Sequence, residues 1–385
     1  MPGPVPVPRM HHTVAIATVT LTALLAGCAV PGRPAARRAR QSRRFIGLTD
    51  FSNFQLSRDQ ASGAATLTSP EIDPRLGWTE LVVSWNMRAA DAGLRVEVRA
   101  IYPDHRTRYY ILGRWSADPT RHPRESVNGQ RDADGEVKTD TLVLTGPGAR
   151  IQARLSFTGH TAAARSALKF LGLSFCDSRA SEPARPPNRL AWGKSLPVPE
   201  RSQLDYSRGR DWCSPTSVSM LLAYWAKVLH RPDLERDVPE VAAGVNDPNW
   251  PGTGNWPFNT AYAGGFKGMR AYVTRLGDVS ELEDWIAAGV PVSVSVSPGV
   301  LNGRPDLPDT GHLVVCVGFT PDGNPIINDP WARRSQGQPV RRVDQRQNLA
   351  AAWRRSHRTA YLIYPTDWPI PGNRRGHWEG PDPTR

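Results

Sequence analysis

The sequence predicts an α+β protein with two domains, and three observations support this prediction. The chain has 385 residues, more than one hydrophobic core usually holds. Residues 45–177 are predicted as short strands in which apolar and polar side chains often alternate, whereas residues 198–366 begin with a helix and continue mainly as strands. Between them, residues 178–197 are polar and rich in proline, as expected of a linker.

The first 28 residues have the layout of a bacterial export signal. A short, mildly basic leader precedes the apolar stretch TVAIATVTLTALLAG, which is too short for a typical membrane-spanning helix. The stretch ends in LLAGC, which resembles a bacterial lipobox and implies cleavage before Cys28 and a diacylglycerol on its sulfur. An ordinary signal peptide with a chance cysteine is the alternative. We therefore expect an exported, membrane-anchored lipoprotein of the bacterial cell envelope, in which residues 29–44 form a flexible basic linker.

An antiparallel β-sandwich is the fold predicted for residues 45–177. Segments such as TELVVSWNM, LRVEVRAIY and RIQARLSFTG alternate apolar and polar residues, and glycine, aspartate and proline separate them. Exposed Trp85, Tyr109 and Trp115 could bind carbohydrate, but alternating strands more often bury such large side chains. We therefore expect a spacer or a module that positions the substrate.

The net charge of +12 does not identify a partner. The arginines are scattered, and the densest run, RPAARRARQSRR, lies in the predicted linker. No nucleic-acid-binding motif accompanies this charge, so we expect no nucleic-acid partner. The histidines His230, His357 and His377 lack the spacing of metal ligands, and we expect neither a metal nor a cofactor.

The cysteines indicate a reactive thiol. With Cys28 assigned to the lipid, Cys176, Cys213 and Cys316 remain, and an odd cysteine in an exported chain suggests a free thiol. Cys176 and Cys316 lie in apolar, strand-like segments, which favours buried free thiols; a disulfide between them is the alternative.

Cys213 lies at the start of a predicted helix. In WCSPTSVSMLLAYW, the apolar residues recur with helical spacing, and Pro215 suits the first turn because its missing N–H would be unpaired there. The unpaired N–H groups at a helix start create a positive potential that lowers the pKa of a nearby thiol. Cys213 is therefore a candidate nucleophile, with an ordinary packing cysteine as the alternative.

A base and an orienting group are predicted on two neighbouring strands. TGHLVVCVGF places His312 at the start of one strand, and PIINDPWA places Asp329, with Asn328 beside it, at the end of the next. The intervening TPDGN has the composition of a hairpin turn. If the strands pair, His312 and Asp329 become neighbours, as an orienting carboxylate requires. The backbone N–H of Cys213 and the side chain of Gln203 are candidate donors to an oxyanion.

The order Gln203, Cys213, His312, Asp329 resembles that of the papain-like cysteine peptidases of the bacteriocin-leader-processing type, in their stand-alone C39-like branch. The matching stretches are WCSPTSVSMLLAYW, GHLVVCVGFT and INDPWA, within roughly residues 198–365. The resemblance implies a papain-like fold with Cys213 as nucleophile, His312 as general base and acid, Asp329 as its orienting partner and Gln203 as oxyanion donor. The usual Cys-Gly-Pro is Cys-Ser-Pro here, and Gln203 precedes Cys213 by more than the common spacing.

The resemblance implies an envelope-anchored peptidase that hydrolyses peptide bonds through a Cys-His-Asp triad and a thioacyl-enzyme intermediate. Its expected partners are a peptide or protein substrate and, through the N-terminal lipid, a membrane. One alternative is an amidase or acyltransferase acting on cell-wall peptides, although such relatives usually have Asp-Cys-Ser and a second histidine. Others are a catalytically silent peptide-binding lipoprotein and a structural lipoprotein with a Cys213–Cys176 disulfide. Residues 367–385 are expected to form a loose tail.

Overall fold

The computed structural model describes residues 1, 3, 41–59, 64–88, 92–159, 164–250 and 252–377. The predicted signal peptide with Cys28 and most of the predicted basic linker lie outside these ranges, so lipid attachment stays a prediction. Within them, no helix combines the length and the apolar character needed to cross a membrane. Residues 39–385 belong to one compact unit.

Two five-stranded antiparallel sheets make up the N-terminal domain, within the described residues, and they confirm the predicted β-sandwich. Their orders are β1-β10-β4-β8-β7 and β2-β3-β9-β5-β6. Buried and less buried residues alternate along β9, as expected of a strand with one face in the core. The elements are β1 (Arg43–Leu48), β2 (Gln55–Arg58), β3 (Ala65–Thr68), β4 (Trp78–Met87), β5 (Ala92–Ile101), β6 (Tyr110–Trp115), β7 (Gly135–Lys138), β8 (Thr141–Gly148), β9 (Arg150–Gly159), a one-turn helix α1 (Ala164–Ala167) and β10 (Leu168–Cys176).

The C-terminal domain packs helices against a six-stranded antiparallel sheet, in the order β11-β16-β12-β13-β14-β15. Helix α2 is buried from its second residue to Ala226, and its buried Ser214 and Ser219 hydroxyls are hydrogen-bonded to the Tyr361 hydroxyl and the Arg236 carbonyl. The elements are α2 (Cys213–Val228), α3 (Val238–Val245), α4 (Trp256–Gly265), β11 (Met269–Arg275), α5 (Val279–Ala287), β12 (Val292–Val296), α6 (Pro298–Leu301), β13 (His312–Phe319), β14 (Pro325–Asn328), β15 (Arg341–Val343), α7 (Arg346–Arg354) and β16 (Thr359–Pro365).

Strand β4 joins the two domains through its polar side chains. All ten of its residues are buried, because one face lies in the sandwich and the other contacts the C-terminal sheet. The side chains at alternate positions bind the backbone of the edge strand β11, whose N–H and C=O groups would otherwise be open to pairing with another chain. Asn86 exchanges two hydrogen bonds with Ala271 (2.7 and 3.0 Å), Ser84 accepts one from the Val273 N–H (2.8 Å), and Glu80 pairs with Arg275.

The tryptophans proposed as alternative carbohydrate contacts lie in the core. Trp85 is fully buried and Trp115 nearly so. Tyr109 is half-buried, and the guanidinium of Arg154 covers its ring at 3.9 Å. The aromatic residues of the N-terminal domain therefore stabilise the sandwich and its junction.

Segments predicted as linker and tail pack against the C-terminal domain where they are described. The indole N–H of Trp192 donates to Glu283 (2.6 Å), and the N–H of Leu196 donates to the carbonyl of Val317 in β13 (2.8 Å). In the predicted tail, Trp368 packs edge-on against Trp225 with ring centroids 4.9 Å apart. The predicted domain boundaries themselves stay predictions.

The buried carboxylate of Glu80 should make the fold sensitive to acid. Burial raises its pKa, but hydrogen bonds and charges from His357 and Arg275 lower that pKa to about 2. An unfolded glutamate titrates near pH ~4.3, so this stabilisation is complete above about pH 5 and is lost as the pH falls towards ~2; it amounts to about 3 kcal/mol. We expect Glu80→Gln to weaken the acid dependence of the free energy of unfolding, measured by urea denaturation between about pH 2 and ~6.

Glu136→Gln is the matched control, because Glu136 lies on the surface beside Lys138. Lys138 lowers the pKa of Glu136 too, but this ion pair is screened by solvent, so the variant should lose much less of the acid dependence than Glu80→Gln. An unchanged acid dependence in Glu80→Gln would contradict the assignment.

Candidate active site

Cys213 is the first residue of helix α2, and its side chain is partly exposed. Trp212, which precedes the helix, provides no side-chain cap, and within the described residues the N–H of Cys213 has no acceptor. The backbone N–H groups of Ser214 and Leu313 interact with the sulfur. The thiol therefore lies in the positive potential of a helix N-terminus, next to the beginning of β13.

The β13–β14 hairpin brings His312 and Asp329 together. His312 is the first residue of β13, and Asp329 directly follows β14. The turn contains Gly323 with a φ of 79°, a backbone conformation that favours glycine. Both side chains are buried, and His312 Nε2 lies 2.7 Å from Asp329 Oδ1. Since Nε2 is engaged in this way, Nδ1 is the ring nitrogen left for the hydrogen bond with Cys213.

The charges of this pair reinforce one another. Burial raises the pKa of the Cys213 thiol, but the hydrogen bond and charge of His312 and the nearby N–H groups outweigh it, so the net shift is downward. Burial lowers the pKa of His312, but hydrogen bonds and charge from Asp329 and Cys213 raise it to about 10. Both shifts favour a thiolate beside an imidazolium, which is the reactive form of a cysteine–histidine pair.

Asp329 is held in the ionised form by three neighbours. Its Oδ1 also accepts the N–H of Trp331 (2.9 Å), and its Oδ2 lies 3.2 Å from the guanidinium of Arg342. Burial raises the pKa of Asp329, but His312, Arg342 and this N–H lower it overall. A carboxylate fixed in this way can orient the imidazole and stabilise its positive charge.

Asn328, the rival of Asp329 in the sequence, has a different role. It is fully buried, and its Oδ1 accepts a hydrogen bond from Arg341 Nε (2.9 Å). Its Nδ2 lies 3.4 Å from the carbonyls of Val198 and Pro199. Asn328 therefore joins β15 to the segment before α2 and does not contact His312.

Gln203 lies upstream of Cys213, but its side-chain amide donates to backbone carbonyls of the intervening turn. It is almost fully buried, and its Nε2 donates to the carbonyls of Gly209 (2.9 Å) and Arg210 (2.7 Å). Both amide protons are therefore used, and neither is free for the oxyanion that the resemblance assigned to them. In this structure Gln203 positions the turn before Cys213, and its role as oxyanion donor stays a prediction. A side chain at Gly209 would have its Cβ only 1.7 Å from the Gln203 carbonyl, so this turn requires glycine.

The other described cysteines are unreactive by environment. Cys176 and Cys316 are buried, and burial raises the pKa of both thiols, that of Cys316 to about 12. All three described cysteines are free, which rules out both the Cys176–Cys316 and the Cys213–Cys176 disulfide of the sequence alternatives. Within the described ranges, no cluster of three or more His, Cys, Asp or Glu residues could hold a metal ion.

Residues 246–250 and 252–255, which precede α4, connect the N-terminal domain to the site. Asp247 accepts the N–H of Ser126 from the N-terminal domain (3.0 Å). Thr253 donates to the carbonyl of Asp211, two residues before Cys213 (2.7 Å). Within these residues, Asn255 Nδ2 donates to Asp247 Oδ2 (3.0 Å), so the contacts link the sandwich to the turn that precedes the thiol.

Two features beside the triad were not anticipated from the sequence. A cleft of about 400 Å³ lies beside Asp329 and is lined by Trp331, which is 38% exposed, together with Arg333 and Arg342. Trp331 follows Asp329 closely in the sequence, so its position could have been inferred from the DPW stretch. Arg342 had no such signal, because it reaches Asp329 only through the pairing of β14 with β15.

Comparison with known families matches both domains. Residues 195–361 match the Peptidase_C39 like family, and residues 32–175 match the Peptidase C39 N-terminal domain. A crystal structure of a candidate C39-like peptidase from Bacillus anthracis is similar over 44% of this chain and 95% of that chain, with 17% identity and a TM-score of 0.35. No curated protein matches the chain. The first match includes Cys213, His312 and Asp329.

Alkylation should distinguish Cys213 from the buried cysteines. The thiolate is the nucleophile, so iodoacetamide labelling should rise with pH around a midpoint below the value of about 8.5 of a free thiol. In His312→Ala, the loss of the imidazolium should move this midpoint to higher pH. Mass spectrometry assigns the label to Cys213, and Cys176 and Cys316 should stay largely unlabelled.

His105→Ala is the control, because His105 is bound to Asp104 and Asp134 on the surface of the N-terminal domain. It should leave the Cys213 midpoint unchanged. The same midpoint in wild type and in His312→Ala would disprove the ion pair.

Proposed function

We propose that the protein is a cysteine peptidase that hydrolyses peptide bonds through Cys213, His312 and Asp329, since residues 195–361 match the Peptidase_C39 like family and residues 32–175 match the Peptidase C39 N-terminal domain. The main support is the 2.7 Å contact between His312 Nε2 and Asp329 Oδ1, which leaves Nδ1 for the thiol at the start of α2. This is the nucleophile–base–orienter arrangement of acyl-transfer enzymes.

The geometry supports a two-step reaction. The Cys213 thiolate attacks the carbonyl carbon of the peptide bond, and the resulting oxyanion can accept the free N–H of Cys213. His312 donates its proton to the leaving amine, which departs and leaves a thioester on the sulfur. His312 then takes a proton from water, the hydroxide attacks the thioester, and the carboxylic acid product is released as the thiolate re-forms. Asp329 holds the imidazole in the required orientation throughout.

An amidase or acyltransferase acting on cell-wall peptides would use the same sulfur chemistry. The orienting group here is a carboxylate, Asp329, whereas a second histidine is usual in those relatives. A peptide or protein chain is therefore the proposed substrate, and cell-wall peptides provide the comparison in the assay.

The proposed place of action is the outer side of a bacterial membrane. The basic leader, the apolar stretch and LLAGC support export and lipid attachment at Cys28. A lipid on Cys28 would anchor the peptidase while the arginine-rich segment that follows spans the distance from the bilayer.

Membrane attachment can be tested through Cys28. Cys28→Ser should remove the lipid and shift the protein from the membrane fraction to the soluble fraction of cells that express it, as measured by immunoblotting. Alanine at Cys176 is the control, since this buried thiol has no role in anchoring. A Cys28→Ser protein that stays in the membrane fraction would contradict lipid anchoring.

Peptidase activity can be tested on a peptide library, with new N-termini identified by mass spectrometry. Cys213→Ala should abolish cleavage because the nucleophile is lost. Asp329→Asn should lower kcat by about 10³- to 10⁴-fold, because the imidazole loses its charged partner and its favoured tautomer. The control is Asp322→Asn, an exposed carboxylate in the turn of the same hairpin.

Three results have distinct meanings. Equal cleavage by wild type and Cys213→Ala would disprove the proposed nucleophile. Cleavage of cell-wall peptides alone would favour the amidase. A Cys213 that is alkylated as an ion pair but yields no new N-termini from either set of peptides would favour a silent peptide-binding protein.

A further inference from the structure

A second cavity, of about 660 Å³, lies at the junction of the two domains. Its walls come from β1, from the segment after β10, from the start of α5, and from α7 with the residues that follow it. It shares no lining residue with the triad. Its lining includes six arginines: Arg43, Arg179, Arg185, Arg346, Arg354 and Arg358.

One part of this charge is neutralised within the protein. Three carboxylates at and behind the wall are matched by three cations, one of which is His377. Burial lowers the pKa of His377, but Glu281 and Glu182 raise it to about 9, so His377 is protonated at neutral pH. Arg346 is paired separately with Glu283, and the lining residue His357 lies 3.1 Å from Glu80. The balanced network consists of Glu182, Asp278 and Glu281 with Arg43, Arg375 and His377.

The other lining arginines have no carboxylate that forms an ion pair with them, within the described residues. In the part of the chain that the structure describes, the guanidinium groups of Arg185, Arg354 and Arg358 form neither an ion pair nor a hydrogen bond. Arg179 donates only to the carbonyl of Thr145 (2.7 Å). Asp177 is the one other lining carboxylate, and it accepts the N–H of Arg179 (3.1 Å). These four arginines therefore share the cavity with Asp177 and with the two paired carboxylates Glu182 and Asp278.

Arg358 shows this excess of positive charge most clearly. It is half-buried, and burial together with the charges of Arg43, Arg354 and other neighbours lowers its pKa to about 10. It stays protonated at neutral pH, and although the charge of Asp278 acts on it, no described carboxylate forms an ion pair with it, so a cation without an ion pair occupies a partly desolvated wall. Its φ of 61° lies in the left-handed region, where a residue other than glycine is strained. Arg43 Nε, buried in the same wall, also lacks an acceptor.

We propose that this cavity binds a compact polyanion, a small molecule with clustered phosphate or carboxylate groups. Guanidinium groups match both kinds of oxyanion with paired N–H donors, and the charge of Arg358 would then be compensated. The volume lies in the range of small-molecule sites. Because the walls come from both domains, the ligand would contact the N-terminal domain and the peptidase domain at once.

Isothermal titration calorimetry of the full chain with inorganic pyrophosphate and with citrate, at low ionic strength and neutral pH, tests this proposal. We expect at least one of the two to bind, and added salt should weaken the binding. Arg358→Gln should lower the affinity about tenfold or more, because a charge-assisted hydrogen bond is lost. Arg358→Lys should retain part of the affinity. The control is Arg131→Gln, a surface arginine whose side chain is 81% exposed.

Binding of pyrophosphate alone assigns the site to phosphate compounds, and binding of citrate alone assigns it to polycarboxylates. If Arg358→Gln does not fold, as judged by its circular dichroism spectrum, Arg185→Gln on the exposed rim replaces it and should also weaken binding. No binding of either anion to the wild type, or equal affinities in the wild type and the folded variants, would overturn the proposal. These measurements do not depend on peptidase activity.

Discussion

The hydrogen bond between His312 and Asp329 is the interaction on which the candidate site depends. It closes the mouth of the β13–β14 hairpin, and it aims the second ring nitrogen of His312 at Cys213. Its geometry follows from the register of the hairpin, because a slip of one residue would turn each side chain to the other face of the sheet. Arg342, on the next strand, holds the carboxylate from its other side. Three adjacent strands and one helix start therefore define the reactive group.

The junction of the domains combines polar contacts with aromatic ones such as Phe45 against Tyr272. Strand β4 covers the backbone of β11 with Asn86 and Ser84, and Glu80 pairs with the Arg275 side chain, so this edge of the C-terminal sheet is not available to other chains. Below this contact lie the buried ion network and the cationic cavity. The ion pairs join residues of β1, of the predicted linker and of the predicted tail, among them Arg43, Glu182 and His377. These pairs therefore hold the linker and tail segments against the two domains.

Much of the site could be predicted because its signals are local. A helix with Cys213 at its start follows from apolar spacing and Pro215, and the hairpin follows from two apolar runs around TPDGN. The orientation of Gln203 could not be predicted, because its amide protons are taken by the carbonyls of Gly209 and Arg210 once the turn folds. The choice between Asn328 and Asp329 also required the register, which turns Asn328 towards the segment before α2.

The sequence by itself determined the β-sandwich, the helix that begins at Cys213 and the hairpin that carries His312 and Asp329, because short-range periodicity and turn composition encode each of them. Only the tertiary structure decided which charged groups lie close to one another. Arg342 reaches Asp329, and six lining arginines surround one cavity, through strand pairings and domain contacts between residues far apart in the chain. Ion pairing depends on distance in space and on burial, and neither is written in the spacing of residues along the chain.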